Sequence, residues 1–511
     1  MLGLAAKQVA DDSSIREPPG ECLQDERYSL LADMPCSDHY TVHAKCICNQ
    51  VLAAKNRVIC DWPQPCPEAL ARLRGLAVRF SAYLGHNHHI VQPEIWTAKY
   101  SGYKQRRYER AIREWEVCGV NRKHSYINAF VKGEKITDPR KDPCMIQARN
   151  PVYNVALGNY LKAIEHQLYN ISGTGKLSDL LPRGRIIAKG LNMVQRGALL
   201  SKRWGELKNP VALELDCSRF DAHCSKHLLE VEHRVYLRCF NNAPELRRLL
   251  AWQLYNKCFT EGGVVYQTVG RRMSGDMNTA LGNCVIMVML LADAFKQMMI
   301  PPSAFRIVDD GDDCVVLVES QYSIRAQTLL PDLFTSYGHQ LKVDSVTSDF
   351  AKVTLCGSRV IRVGGVRTCI LNPRRTIGKS RVQLGCKNVD PNRYIATVGQ
   401  CLLALHQGVP VLQEHALCLR RASRRFLKEP PGSYLYRLAY DQIWLEQRPQ
   451  PVTEEARSDF ALSFGISIPD QLEIEEWFRS GDPFTARPFR DYEVDSMGVT
   501  PMFQWDGFLD L

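Results

Sequence analysis

The chain of 511 residues carries a formal net charge of +10, which favours a polyanionic partner but does not decide the fold. At roughly 100 to 200 residues per domain the length predicts about three units. No run approaches the roughly 18 apolar residues of a membrane span, so no intrinsic transmembrane segment is expected. The 19 cysteines form no Cys-x-x-Cys pair, and Met1 to Ala6 is too short for a secretory signal, so reduced thiols are expected.

Residues 1–39 are polar, punctuated by Pro and Gly, and read as an extension. His43 with Cys46 and Cys48, and the group His86, His88 and His89, lack the second ligand pair that a zinc finger needs. From Tyr100 the sequence YSGYKQRRYERAIREWEV predicts a helix. Its apolar stripe is Tyr108, Ile112 and Trp115, and a basic stripe of Arg106, Arg110 and Arg113 runs out of phase with it. One stripe packs; the other faces solvent or a polyanion. An extended, Pro-interrupted segment, AFVKGEKITDPRKDPCMIQARNPVYNV, then brings Lys132, Lys135, Arg140, Lys141 and Arg149. Ser172 to Lys176 (SGTGK) hints at a phosphate loop, but its spacing is wrong and Leu177 follows the Lys.

Val211 to Asp216 alternates as a strand that puts Ala212, Glu214 and Asp216 on one face, with Asp221 five residues beyond. Gly270 to Asn283, GRRMSGDMNTALGN, reads as a loop running into an apolar helix from Cys284 to Phe295, and Thr279 and Asn283, four apart, share a helical face. Arg306 to Glu319, RIVDDGDDCVVLVE, predicts a β-hairpin turning at Asp310-Gly311 with Asp312 and Asp313 held at its edge. Adjacent carboxylates repel, and a hard divalent cation between them is one compensation. A solvated turn carries the same letters.

Further on, Tyr337 to Lys342 closes a helical segment, and Arg374, Arg375, Lys379 and Arg381 form one basic cluster. A second, Arg420, Arg421, Arg424 and Arg425, is expected on a helix with Leu419 and Phe426. Residues 451–511 hold 13 acidic against 4 basic residues, a net of −9, leaving +19 on the rest. This acidic tail, ending in FQWDGFLDL, is expected either on the outside of the last unit or in a basic channel.

Taken in order, Asp216 with Asp221, Ser274-Gly275 with Thr279 and Asn283, and Gly311-Asp312-Asp313 resemble motifs A, B and C of viral RNA-dependent RNA polymerases. SRFDAH, RMSGDMNTALGN and GDDCVVLV resemble the tombusvirus-like group in particular, with a likeness from about Tyr40 to Lys379. The resemblance implies an α+β right-hand polymerase of fingers, palm and thumb, with an antiparallel palm sheet flanked by helices. Its implied divisions are an N-terminal extension (1–39), fingers (40–205), palm (206–225), a fingers insertion (226–269), palm again (270–365), thumb (366–450) and acidic tail (451–511).

It also implies RNA-templated RNA synthesis for a positive-strand RNA virus, started without a primer, with two Mg²⁺ ions that Mn²⁺ can replace. Asp216 and Asp312 are then the bridging metal ligands, with Asp313 weaker. Asp221, Ser274 and Asn283, beside Gly275, read the ribose 2′-hydroxyl, and Thr279 holds that network. Lys132, Lys135, Lys141 and Arg149 resemble motif F and face the triphosphate. Lys342, as in motif D, protonates the leaving pyrophosphate, and Thr354 to Arg359 resembles motif E. Arg359, Arg374, Arg375, Arg106, Arg110 and Arg113 are the implied RNA contacts.

Two departures stand out. Relatives usually have Arg after the motif F Pro, but Cys144 follows Pro143 here, and a thiol cannot pair with phosphate as a guanidinium does. Relatives often place Asn before the motif C Gly, where this chain has Asp309 and Asp310, expected at the base of the turn. The implied partners are RNA template and product, NTPs and an auxiliary viral replication protein. That protein would supply an indirect membrane association at replication complexes in the host cytoplasm. A reverse transcriptase shares the palm logic, and a non-catalytic RNA-binding scaffold would keep the fold; ribonucleotide use and metal-dependent turnover separate them.

Overall fold

The computed structural model describes residues 14–18, 28–30, 40–100, 102–384, 389–427, 439 and 447–484. In chain order its strands are β1 (Ser14–Arg16), β2 (Tyr28–Leu30), β3 (Ile127–Val131), β4 (Met145–Arg149), β5 (Pro210–Ser218), β6 (Tyr255–Thr260), β7 (Val265–Val269), β8 (Phe305–Asp309), β9 (Asp313–Glu319), β10 (Gln340–Thr347), β11 (Ser358–Val363), β12 (Val366–Leu371) and β13 (Val382–Leu384). They build a five-stranded sheet in the order β1-β7-β6-β3-β4, a four-stranded sheet in the order β10-β5-β9-β8, and the pairs β11-β12 and β13-β2.

The four-stranded sheet is antiparallel throughout and positions the site. Alternation along β5 sends Leu213, Leu215 and Cys217 to one face, where they join Ile307, Val316 and Val318 in the largest core. Helices Lys226–Cys239, Thr279–Gln297 and Ser320–Ser336 close that core. On the opposite face Ala212 packs with Val315, Leu317, Val353 and Leu355, so the face is apolar at that end and polar only from Glu214 onward. The sheet is thus clamped by apolar contact at one end, each fully buried Leu or Val contributing about 1.5–3 kcal/mol. Its other end is left open.

Helix Thr279–Gln297 starts five residues before Cys284, so Thr279 and Asn283 lie in its first turns. It is long and apolar enough to cross a membrane, but it is the enclosed central helix of the core. The Tyr100 segment forms helix Gly102–Cys118, whose Tyr108, Ala111, Ile112 and Trp115 pack on Val152 and Val155 of helix Pro151–Tyr169. In the N-terminal extension, β1 adds to the edge strand β7, and β2 pairs with β13.

Two expectations are revised by packing. Helix Leu412–Arg420 ends at the first residue of the second basic cluster, so Arg421, Arg424 and Arg425 lie beyond it, and Arg421 donates to the carbonyls of Phe478 (2.7 Å) and Gly481 (2.6 Å). The described part of the acidic tail is not in a channel. Helices Glu454–Phe464 and Ile468–Ser480 bury Phe460, Phe464, Ile474 and Phe478 against Ile361, Ile370, Ile377, Val409 and Leu412. Arg362 pairs there with Glu455 (2.7 Å) and Asp459 (2.8 Å), and within the tail Arg457 pairs with Glu475 (2.9 Å). The terminal FQWDGFLDL lies outside the described residues.

Candidate active site

The open end of the sheet carries a row of charge. Asp216 of β5 stands opposite Asp313 of β9 on one side and opposite Lys342 of β10 on the other. The β8–β9 hairpin turns tightly, the Asp310 amide donating to the Asp313 carbonyl at 2.8 Å. Its central residues are therefore Gly311 and Asp312, not Asp310-Gly311, and Gly311, with φ of 99°, supplies the positive φ that a tight hairpin needs.

Four acidic residues surround that glycine, and each meets a different environment. Asp309 is fully buried, accepts from the Gly311 amide (3.2 Å), and is pushed well above the usual carboxylate range, chiefly by loss of water. Burial would also raise Asp310, but Lys189 (3.1 Å) and Arg196 (2.8 Å) outweigh it and hold the carboxyl below its ordinary value. Cys356 Sγ also donates to Asp310 at 2.9 Å. Asp312 and Asp313 reach solvent at the tip, with the Asp313 carboxyl partly enclosed by its neighbours. Burial first, then Asp312, Asp310 and Asp216, push Asp313 up to about 6. Asp216 is raised by burial, then by Asp344 and Asp312.

Asp344 belongs to this group although the sequence reading passed over it. It lies where β10 slips register against β5, between Val343 and Ser345, and it binds Lys342 Nζ at 2.7 Å, raising the lysine's pKa. An acidic residue two places from the lysine, on the same strand, was the available signal. Among the described residues no three His, Cys, Asp or Glu side chains form a ready-made metal cage. The mutually repelling carboxylates Asp216, Asp312 and Asp313 at an open edge instead suit a hard divalent cation that takes further oxygen ligands from elsewhere.

Beside the carboxylates lies a polar pair. Asn283 Nδ2 donates to Asp221 Oδ1 at 2.9 Å, and loss of water is the main cause that pushes Asp221 up to about 6. Thr279 Oγ1 donates to the Met273 carbonyl (2.8 Å), closing the loop onto the helix start. The Ser274 hydroxyl donates to the Met145 carbonyl (3.1 Å) and accepts from the Gln147 amide (3.1 Å), bracing the loop against β4. The Gly275 amide bonds Gln147 O (2.9 Å), and a Cβ at Gly275 would come within 2.6 Å of that oxygen. The structure therefore joins Asp221 to Asn283 and ties Ser274 and Gly275 to β4.

The cationic segment between β3 and β4 divides into used and available charges. Lys132 pairs with Glu134 (3.1 Å). Lys135 Nζ donates to the Lys379 carbonyl (2.6 Å), and burial with the nearby Lys379 pushes it down to about 7. Lys379 falls to about 8 through burial, then Arg375. Lys141 is exposed and its charge reaches both Asp216 and Lys379, placing it between the carboxylates and the cation cluster.

Arg149 is a correction. Its guanidinium is enclosed between Asp276, the Ser125 carbonyl (2.6 Å) and Asn256 Oδ1 (2.7 Å), leaving none of it facing a triphosphate. Arg374, 4 % exposed, is likewise inside the fold and not on an RNA-facing surface. Arg359 donates to Thr354 Oγ1 (3.1 Å) and to the Ser463 carbonyl, which ties β11 to the tail helix. Arg375 approaches Gly357, at the start of the β11–β12 hairpin, while Arg106, Arg110 and Arg113 are fully on the surface.

Residues 20–482 match the family of viral RNA dependent RNA polymerases. The chain belongs to that family. The match extends on both sides of the Tyr40 to Lys379 likeness and takes in the packed tail helices. Similar proteins include the RNA-directed RNA polymerases of Turnip crinkle virus (32 % identical over 432 residues, 81 % of this chain and 54 % of that protein) and Maize chlorotic mottle virus, isolate United States/Kansas/1987 (31 % over 437 residues, 82 % and 44 %). That of Tomato bushy stunt virus, strain Cherry, is 30 % identical over 476 residues, 90 % of this chain and 56 % of that protein. The chain spans about half the length of these curated relatives. As a viral RNA-dependent RNA polymerase family member, it keeps at the open edge of its four-stranded sheet the acidic residues that the motif resemblance singles out.

Proposed function

We propose that the chain is the RNA-synthesising portion of a positive-strand RNA virus replicase, built as a right hand. The four-stranded sheet with residues 206–225 and 270–365 is the palm, 40–205 and 226–269 are the fingers, and 366–450 is the thumb, with 451–484 packed on it. The observation that carries the reading is the alignment of Asp313, Asp216 and Lys342 across three neighbouring strands.

Asp216 and Asp312, with Asp313 as the weaker ligand, would hold two Mg²⁺ ions, and Mn²⁺ would substitute because both favour oxygen ligands. When bound, the ions supply a lowered pKa for the attacking 3′-hydroxyl and a counter-charge for the phosphoryl group. The 3′-oxygen attacks the α-phosphorus, the bond to the β-phosphate oxygen breaks, and pyrophosphate leaves. Lys141, with Lys132 and the Lys135–Lys379 cluster behind it, attracts the triphosphate and fills the role that Cys144 cannot. Lys342, once released from Asp344, donates its proton to the leaving pyrophosphate.

Asp221 and Asn283 bind the ribose 2′-hydroxyl, and a site that hydrogen-bonds a hydroxyl rejects the analogue lacking it because its polar groups are left unpaired. Initiation without a primer, an auxiliary replication protein that brings the chain to membranes, and a place in host cytoplasmic replication complexes complete the reading.

The test is incorporation of labelled UMP on an unprimed poly(A) template with Mg²⁺ or Mn²⁺, comparing wild type with Asp312→Ala. Metal-dependent synthesis by wild type and none by the variant supports the proposal. RNA binding without synthesis by either, with the auxiliary protein and membranes added, would overturn it in favour of a scaffold.

A further inference from the structure

The loop that precedes helix Thr279–Gln297 carries Arg272, 1 % exposed, and helix Lys226–Cys239 carries Glu232, with no exposed surface. The two form an ion pair inside the fold. Burying such a pair costs several kcal/mol of desolvation for each ion, so it persists only where its remaining hydrogen-bonding capacity is filled. Here it is filled: Glu232 Oε1 accepts from Tyr236 (2.8 Å) and from Asn278 Nδ2 (2.7 Å), and Gln253 Nε2 donates to Asn278 Oδ1 at 2.8 Å. Gly282 belongs to the same arrangement, because a Cβ there would fall on Glu232 Oε1 and the Arg272 guanidinium.

The network has one outlet toward the site. Arg272 Nε donates to Asn283 Oδ1 at 3.1 Å, while Asn283 Nδ2 donates to Asp221 Oδ1 at 2.9 Å. A carboxamide has one accepting and one donating end. With its oxygen held by Arg272, only its NH₂ can face Asp221. A flipped amide would set oxygen against the carboxylate and NH₂ against the guanidinium. Held this way, Asn283 fixes Asp221 with lone pairs left to accept from a ribose hydroxyl.

We propose that Arg272 and Glu232 are positioning residues for sugar selection: Glu232 holds Arg272, Arg272 sets the orientation of Asn283, and that orientation lets Asp221 discriminate a 2′-hydroxyl from hydrogen. The inference rests on the polymerase reading and adds residues that touch neither nucleotide nor metal.

The test is a steady-state comparison of kcat/KM for UTP, 2′-deoxy-UTP and 3′-deoxy-UTP on a poly(A) template. Removing one member would strand a buried charge, so the variant is the neutral pair Arg272→Gln with Glu232→Gln. The ratio of UTP to 2′-deoxy-UTP is expected to fall by about tenfold or more, while the ratio of UTP to 3′-deoxy-UTP stays within about twofold. In an Asn283→Ala background the same two changes should have little further effect on the 2′ ratio, since they act through Asn283.

Should the neutral pair fail to fold, Arg272→Lys keeps the charge beside Glu232 but lacks the planar fork, and it should lower the same ratio. An unchanged 2′ ratio in either folded variant, an equal loss of both ratios, or a full additional loss in the Asn283→Ala background overturns the inference while leaving the polymerase reading intact. Absence of templated synthesis by wild type overturns that reading itself, and the inference with it.

Discussion

Two polar regions lie side by side near the end of the same sheet and are finished in opposite ways. Around Asn283 the hydrogen-bonding capacity is filled: Arg272, Glu232, Asn278 and Gln253 partner one another below the surface, and one amide is handed to Asp221. At the hairpin tip Asp312, Asp313 and Asp216 stand together, answered only in part by Lys342 and Lys141 at Asp216, and burial first, then the neighbouring carboxylates, holds Asp216 and Asp313 above the ordinary carboxylate range. A completed network fixes geometry before substrate arrives; an incomplete one on a rigid frame waits for charge to be brought to it. Asp310 sharpens the contrast, because one residue from the turn glycine its charge is answered by Lys189 and Arg196.

The largest expected effect would come from breaking a finished region. Arg149→Ala leaves Asp276 buried without its cation and should lower unfolding stability by about 3–5 kcal/mol in chemical denaturation. A loss of NTP affinity without loss of stability would return Arg149 to the triphosphate path. Next, Asn283→Ala should reduce selection of UTP over 2′-deoxy-UTP by about tenfold or more, with a smaller change in UTP turnover, in single-nucleotide incorporation assays. Unchanged selection would remove Asp221–Asn283 from sugar reading.

A milder perturbation uses pH. Burial, and then neighbouring cations, depress Lys135 and Lys379 to about 7 and about 8 from 10.5. Between these values and 10.5 the unfolded chain binds more protons than the folded one, so the ligand-free protein gains stability as pH rises through this window. Triphosphate attraction moves the other way: KM for UTP should rise about threefold or more from pH 7 to pH 9, and a flat KM would place these lysines outside the triphosphate path. The smallest effect is expected on the surface. Replacing Arg106, Arg110 and Arg113 with Gln should lower the salt dependence of single-stranded RNA binding by a slope of at most about 2. No change in slope would make that stripe a solvated face.

Legibility in the sequence followed how local the cause was. The β5 strand, the hairpin and the amphipathic helix from Gly102 were readable because alternation, a turn glycine and a three-to-four spacing are properties of neighbouring residues. The turn was misplaced by one residue, because Asp310-Gly311 and Gly311-Asp312 are both acceptable letters, and only the pairing of Asp309 with Cys314 decides between them. Arg149 and Arg374 looked like exposed cations because sequence shows charge but not enclosure, and Asp276, which neutralises Arg149, lies 127 residues away. Glu232 was invisible for the same reason: its partner Arg272 is 40 residues distant, and nothing in its own helix marks it as buried. Asp344 was legible from its place two residues beyond Lys342 on the same strand, although the register slip beside it was not.

The most direct measurement of the central claim is Mn²⁺ binding followed by electron paramagnetic resonance, in wild type and Asp216→Asn, with and without a non-hydrolysable UTP analogue and template RNA. The open carboxylate edge predicts weak binding by the protein alone, marked tightening when nucleotide supplies phosphate oxygens, and a loss of that tightening by about tenfold or more in the variant. Equal nucleotide-dependent binding by both proteins would contradict the assignment of this edge as the metal-dependent polymerising centre.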